Sequence, residues 1–398
     1  MPDHEGITPR PGGRASLAPP LRIVLLAPAT SVHTRRWAAD LALRGHQVTV
    51  CSWHEPCLRP DGWRAVSAPG GGSVPWRVMR AGRWLRGEMR RARPDVIHVH
   101  SLGVHGALSL LLPARTATPL VITPWGSELR AADGHPGRAS VARLALRRAA
   151  CVVPTSREVA ELVMSRYRVP HSRTTVISWG VPDELLDAAD DADHRATRAR
   201  YGMPAEATVA LSVRSASEVY RTHEILAAFT RAARVRPGLF LVLVAGHQPA
   251  HAAARRAQQE YLALLRARAH DPAGRVAVID RSLGQTEMFG LMRASDVAIS
   301  VPRADQRSSS VLEAAAAGCR LLLSDIAPYR ELVGEGLRAD LLHDPLVGSL
   351  ADALSHAGPL NDADRLSNRR LIGQAERGSL KVAELERLYR DVARPRAV

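Results

Sequence analysis

Between Ser300 and Asp325 the chain reads SVPRADQRSSSVLEAAAAGCRLLLSD, a stretch that gathers the residue types able to hold an anion such as phosphate. Two acids, Asp305 and Glu313, stand with seven residues between them. Arg303 and Arg307 flank the first acid, and Ser308, Ser309 and Ser310 lead to the second. Carboxylates accept hydrogen bonds, and guanidinium groups grip phosphate. The free N–H groups of a helix N-terminus attract negative charge. For these groups to converge, the apolar run Val297–Ser300 must be a buried strand and the residues after it a polar loop. Residues 311 to 317 then form a helix, with Gly318 placed to end it as a left-handed cap. A second strand follows over residues 320–323. The N–H groups at Ser309, Ser310 and Val311 are thereby aimed beyond the strand end, at a place for phosphate. Glu313 keeps two readings: it completes a capping box with Ser310 as N-cap, or it faces a ligand.

The order of acid, seven residues, Glu, small-residue helix and Gly resembles the donor-site motif of retaining glycosyltransferases of family GT4. These have the GT-B fold, two Rossmann-like domains. The likeness continues through residues 324–333, SDIAPYRELV, where the family has a small-Asp-x-x-x-x-Arg-Glu run. The resemblance implies that Glu313 holds the nucleotide ribose and that Asp305 lies beside the donor sugar. Arg214, ending the apolar run 209–214, matches the arginine with which the family grips the donor diphosphate. The family has a Lys a few residues on, whereas residues 215–221 here read SASEVYR. Either Arg221 takes that place, or one cation with the helix N–H groups suffices. The resemblance thus gives Arg214, Asp305 and Glu313 as catalytic residues, and Arg221, Ser308, Ser309, Ser310, Val311 and Glu313 as the donor site.

The first half of the chain must supply the other side of such a reaction. Residues 21–26 read as a strand, 27–34 as a loop, 35–44 as a helix closed by Gly45, and 46–50 as the next strand, the opening of a parallel α/β domain. No G-x-G-x-x-G follows the first strand, which argues against a nicotinamide dehydrogenase. His33 and Thr34 fall in the loop, where ligands of open α/β sheets bind. Residues 94–100, PDVIHVH, form a strand with His98 and His100 on one face; two histidines without a third ligand make no metal site. This strand is similar to the family's Pro-Asp-x-x-His-x-His. After the strand at 120–123 many relatives carry a His that contacts the donor sugar. Trp125 stands there instead and is expected to stack on a sugar face, with Glu128 accepting from a hydroxyl. His33, Thr34, His100, Trp125 and Glu128 are therefore the sugar and acceptor candidates.

Residues 76–93 read as a helix with Arg77, Arg80, Arg83, Arg86 and Arg90 in one stripe, opposite Val78, Leu85 and Met89. The stripe is either a solvated face or a docking face for an anionic membrane surface. Asp191-Ala192-Asp193 spells a metal-binding DxD, but no strand leads into it and it reads as linker.

The 398 residues suffice for two domains, and 46% hydrophobic with 23% charged residues is ordinary for a soluble chain. The net charge of +15 favours anionic partners in general. Lys381 is the only lysine, so the excess is diffuse arginine, and with no base-reading helix nucleic acid is set aside. Cys51, Cys57, Cys151 and Cys319 have neither metal-ligand nor secretory spacing, which fits a reducing cytosol. No apolar run approaches the ~18 residues that span a bilayer. The expected plan is a flexible leader at 1–20, an acceptor-side Rossmann-like domain at 21–185 and a nucleotide-sugar domain at 186–373. A helix at 374–398 packs back on the first domain. The fold class is α/β, GT-B, with two Rossmann-like domains facing each other across a cleft. The expected enzyme is a retaining glycosyltransferase moving a sugar from a UDP- or GDP-linked donor to a hydroxyl acceptor, without cofactor or metal. It serves glycan, glycolipid or antibiotic assembly, in the cytoplasm or on the inner membrane face. Two alternatives stay open: a nucleotide-sugar 2-epimerase on the same fold, and a non-catalytic binder of nucleotides or lipid headgroups.

Overall fold

A computed structural model describes residues 19–53, 60–70, 74–113, 118–187, 194–246, 252–269 and 274–394. The expected leader, except its last two residues, and the DxD at 191–193 lie outside the described residues. The chain divides into two compact units. The first holds the residues up to Thr155, Val159–Ile177 and those from Val382 on; the second holds Ser156–Glu158 and Ser178–Lys381. The division falls after Ile177, where the sequence reading placed it after residue 185.

Each unit is built on a parallel six-stranded sheet. The first sheet comprises β1 (Arg22–Leu26), β2 (Gln47–Ser52), β3 (Arg64–Ser67), β4 (Val96–His100), β5 (Leu120–Thr123) and β6 (Cys151–Val152), in the order β3-β2-β1-β4-β5-β6. The second comprises β7 (Thr208–Ser212), β8 (Leu239–Val244), β9 (Val276–Ile279), β10 (Val297–Ser300), β11 (Arg320–Ser324) and β12 (Asp340–Leu342), in the order β12-β11-β10-β7-β8-β9. Both are doubly wound, with the order reversing between β1 and β4 and between β7 and β10. At such a reversal the carboxyl ends of two strands open a crevice, the usual ligand position of these sheets.

The strands are apolar runs because helices cover both faces. In the second unit Val209, Leu211, Val242, Leu321 and Leu323 pack into one layer, while Ala210, Leu241, Leu243, Val297 and Leu322 pack into the other, as the two-residue period requires. In the first unit Val24, Leu26, Ile97, Val99 and Ile122 build the core with Leu85, Leu146 and Val159.

Several elements differ from the sequence reading. The helix after β1 starts at Val32, not at residue 35, so His33 and Thr34 sit in its first turn. The short edge strands β3 and β12 are partly buried except at Leu342, so they lack the apolar signal of a central strand. The arginine helix spans Val74–Ala92 and buries Ala81, Leu85 and Glu88. Val78, expected on the apolar face, is 45% exposed. The last helix, Gly378–Ala393, joins the first unit from Val382 on, where Glu386 pairs with Arg44 at 2.7 Å.

Candidate functional site

The helix Ser309–Ala317 stands at the carboxyl end of β10. Its nine residues end at Gly318, whose φ of 90° allows the left-handed turn back into β11. Its N-cap is Ser308, not Ser310, so the Ser310–Glu313 capping box does not form. Three consecutive serines left that choice open, and the tertiary structure settled it. Ser308 Oγ makes no capping bond and instead accepts from Arg214 Nη1 at 2.6 Å. Glu313 lies a turn further in, 8% exposed, and its Oε1 accepts from Gln285 Nε2 at 3.0 Å. The N–H of Val311, expected to face a ligand, donates to Ser308 O at 3.1 Å and is already used.

Arg214 follows β7, so the reversal of strand order between β7 and β10 brings it to the head of this helix. Its Nη2 donates to Asp305 Oδ1 at 3.2 Å and to the Tyr220 hydroxyl at 2.8 Å. The Tyr220 ring centroid lies 4.3 Å from the guanidinium carbon. Asp305 also accepts from its neighbour Gln306 N at 2.9 Å and, on Oδ2, from the Tyr329 hydroxyl at 2.8 Å. Tyr329 is fully buried and shares a hydrogen bond with Ser300 Oγ. Burial and the Asp305 charge push the Tyr329 hydroxyl far above the ordinary range, so it stays a neutral donor. Burial works to lower the Arg214 pKa, but Asp305, Tyr220 and Tyr329 outweigh it and the net shift is upward. The guanidinium therefore stays charged. Arg214 Nε and Ser309 Oγ are buried and have no hydrogen-bond partner among the described residues. Two orphaned donors at a helix head are the polar complement of an anion.

Arg221 does not join this group. It caps the helix Thr222–Val235 with a left-handed φ of 55°, and its guanidinium is held by Glu224 at 2.7 and 2.8 Å and by Asp344 at 2.6 Å. Tyr220 occupies the place beside Arg214 instead. Arg307 also turns away, to Glu331, Glu335 and Glu376. Sequence reasoning missed Tyr220, Tyr329, Ser300 and Gln285 as site residues; their partners are up to 29 residues away, and no local pattern marks them.

In the first unit the reversal lies between β1 and β4, and there Thr34 Oγ1 meets His100 Nδ1 at 3.2 Å. Both side chains are fully buried, so neither presents an open face to an acceptor. His98 bonds Thr123 Oγ1 at 2.8 Å and the Tyr389 hydroxyl, and its ring packs 4.6 Å from that of His100. Burial holds His98 well below the ordinary histidine range; burial and His105 lower His100 to about 3, and burial lowers His105 to about 4. These rings are neutral core groups. Glu128 Oε1 accepts from Trp125 N at 2.7 Å and Leu102 N at 2.9 Å, tying the loops after β5 and β4 together. Both bonds fall on Oε1, and they hold the Glu128 carboxylate at the carboxyl ends of β4 and β5. His33 and Trp125 are half-buried.

Among the described residues no three His, Cys, Asp or Glu side chains gather as a metal site. No described helix is long and apolar enough to cross a membrane.

Residues 30–185 match the family model Glycosyltransferase Family 4. No curated protein matches the chain by sequence. Among solved structures, sucrose-phosphate synthase from Thermosynechococcus elongatus superimposes with a TM-score of 0.73 at 16% identity, covering 93% of this chain and 98% of that one. Anabaena HepE, solved with UDP and glucose, gives 0.72 at 16% identity over 93% and 99%. An α,α-trehalose-phosphate synthase from Burkholderia xenovorans, solved with glucose-6-phosphate, gives 0.70 at 13% over 93% and 99%. Residues 30–185 are thus similar to a Glycosyltransferase Family 4 domain, and the chain as a whole has the two-domain α/β GT-B fold of these structures.

Proposed function

We propose that the protein is a retaining glycosyltransferase that takes its sugar from a nucleoside-diphosphate donor and needs no metal. The observation that carries the reading is the position of Arg214 at the head of the helix Ser309–Ala317, with Nε and Ser309 Oγ unused. In this reading the diphosphate lies against Arg214 and the N–H groups of Ser309 and Ser310. Glu313 accepts from the ribose hydroxyls. The chemical demand is to stabilise charge on the departing diphosphate, and fixed donors aimed at that charge meet it without a Lewis acid. A lost donor of this kind costs on the order of 3 kcal/mol, about a hundredfold in rate.

The acceptor hydroxyl attacks the face that the diphosphate leaves, and the leaving phosphate oxygen takes the acceptor proton. The C–O bond to the diphosphate breaks as the new one forms, and the anomeric configuration is kept. No protein nucleophile is required. Trapping a covalent glycosyl-enzyme with a fluorinated donor would refute this course, and loss of turnover in EDTA would refute the metal independence. HepE in complex with UDP favours uridine as the base; GDP is the competing probe.

Calorimetric titration of UDP, GDP and their glucose conjugates tests the donor assignment. Glu313→Ala should lose at least tenfold in nucleotide affinity; a protein that binds none of the four would end the reading. On the acceptor side we assign Trp125 and His33, half-buried beyond the carboxyl ends of β5 and β1.

The outer face of the arginine helix supports a peripheral membrane position. Arg80, Arg83, Arg86 and Arg90 are exposed beside Trp76 and Met79, which are 61% and 45% exposed. Arginines with an interfacial tryptophan suit an anionic lipid surface. Arg77 is partly committed, lying over the Trp53 ring. Co-sedimentation with phosphatidylglycerol vesicles but not phosphatidylcholine vesicles is expected, and equal binding to both would exclude it.

A further inference from the structure

Arg214 is held more firmly than a phosphate contact alone would require. Ser308 Oγ takes a hydrogen of Nη1, and Asp305 and Tyr220 take the two hydrogens of Nη2. The Tyr220 ring lies against the guanidinium carbon. Asp305 is itself fixed by the hydroxyl of Tyr329, whose ring is locked in the core of the second unit. Of the five guanidinium N–H groups, these contacts leave Nε–H and one hydrogen of Nη1 for a ligand. A long side chain that must be ordered on binding weakens binding by its lost rotamer freedom, and one fixed beforehand does not.

We propose that Tyr220 and Tyr329 are positioning residues that orient Arg214 for the donor diphosphate, Tyr220 directly and Tyr329 through Asp305. Tyr220 thus stands where a second cation would otherwise assist, since Arg221 is turned to Glu224 and Asp344. Asp305 belongs to the same device, as the anchor of Arg214. The inference rests on the reading of this helix head as the diphosphate site.

The test is a double-mutant cycle with UDP and GDP as probes, read by calorimetry and, for weak variants, by ligand-observed NMR. Tyr220→Phe and Tyr329→Phe keep the rings and remove the hydroxyls. Each should weaken nucleoside-diphosphate affinity by about tenfold, the size expected for a hydrogen bond to a charged group. In an Arg214→Ala/Asp305→Asn background the same substitutions should change affinity by less than about twofold, because nothing is left to orient. A residue that merely supports the fold would weaken binding equally in both backgrounds. Tyr220 is only half-buried, so Tyr220→Phe carries the test even if Tyr329→Phe does not fold. If the wild-type protein takes up neither nucleotide, the diphosphate reading falls first. If it binds, and both hydroxyl deletions leave affinity unchanged or act equally in the two backgrounds, the positioning role is overturned while the diphosphate site stands.

Discussion

Arg214 Nη2 lies 3.2 Å from the Asp305 carboxylate, although 91 residues separate them in the chain. The side chains are 15% and 12% exposed, so the pair is largely shielded from water. Breaking a shielded pair by removing one partner costs more than removing both, since the survivor keeps an unmatched charge. Arg214→Ala should therefore destabilise the protein by about 3 kcal/mol and abolish most donor turnover. Adding Asp305→Asn should restore much of the stability and none of the turnover. Guanidinium unfolding and donor-consumption assays on the two variants separate the effects; turnover recovered with stability would contradict the proposed role of Arg214.

A second buried cluster sits beside the site. Arg307, between Asp305 and the N-cap Ser308, is 9% exposed and faces Glu331, Glu335 and Glu376. Glu376 also accepts from Ser178 Oγ. The Glu331 pKa is raised, chiefly by burial. Arg307→Ala leaves three carboxylates with little counter-charge and should cost about 3–5 kcal/mol. Neutralising Glu335 in that variant, as Glu335→Gln, should return part of the loss. A loss of unfolding free energy of less than about 1 kcal/mol for Arg307→Ala would show that water screens the cluster.

How much of this was legible beforehand follows the range of each interaction. The helix at 309–317 and its Gly318 cap were readable because small residues, a serine run and a glycine lie within one stretch. Arg214 and Asp305 were each identified through resemblance, but not their contact, which depends on β7 and β10 being neighbours in the sheet. Arg221 looked available as a second cation. Nothing local shows that its backbone turns left-handed and that Glu224 captures its side chain. Glu128 and His100 were chosen for their chemistry; long-range bonds to Leu102 N and Thr34 assign them to the framework of the first unit.

Gly246 ties the loop after β8 to the one that carries Arg214. Its φ is 74°, and a Cβ there would lie 2.0 Å from Ser215 Oγ and 2.7 Å from Ser215 Cα. Ser215 follows Arg214 directly, so any relief must move the backbone next to the guanidinium. Gly246→Ala should cost on the order of 2 kcal/mol and weaken nucleotide binding. Adding Ser215→Gly removes the side-chain atoms of that clash and should return part of both losses. Unaltered nucleotide affinity in Gly246→Ala would mean that the two loops adjust independently of Arg214.

Acid should destabilise the first unit through its buried histidines. His98, His100 and His105 stay neutral in the folded protein, with pKa values lowered far below the ordinary one, to about 3 for His100 and about 4 for His105. In the unfolded chain each protonates near ~6.5. Between these limits the unfolded state binds more protons than the folded state, so stability falls as pH falls. Each ring contributes about 1.4 kcal/mol per pH unit once pH is well below ~6.5, and His46, also lowered by burial, acts in the same direction. Glu386 belongs to a separate window. The Arg390 and Arg44 contacts outweigh its burial and hold it at about 2, so its stabilisation is lost only as pH drops below the unfolded value near ~4.3. Guanidinium unfolding at pH 7.5, 6 and 5 should show a steep loss of stability across the upper window. His105→Gln should lower that slope by about one histidine's share, because the His105 Nε2 has no partner among the described residues and its ring gains nothing from being charged. A flat profile between pH 7.5 and 5 would mean that the rings open to water and take up protons in the folded state.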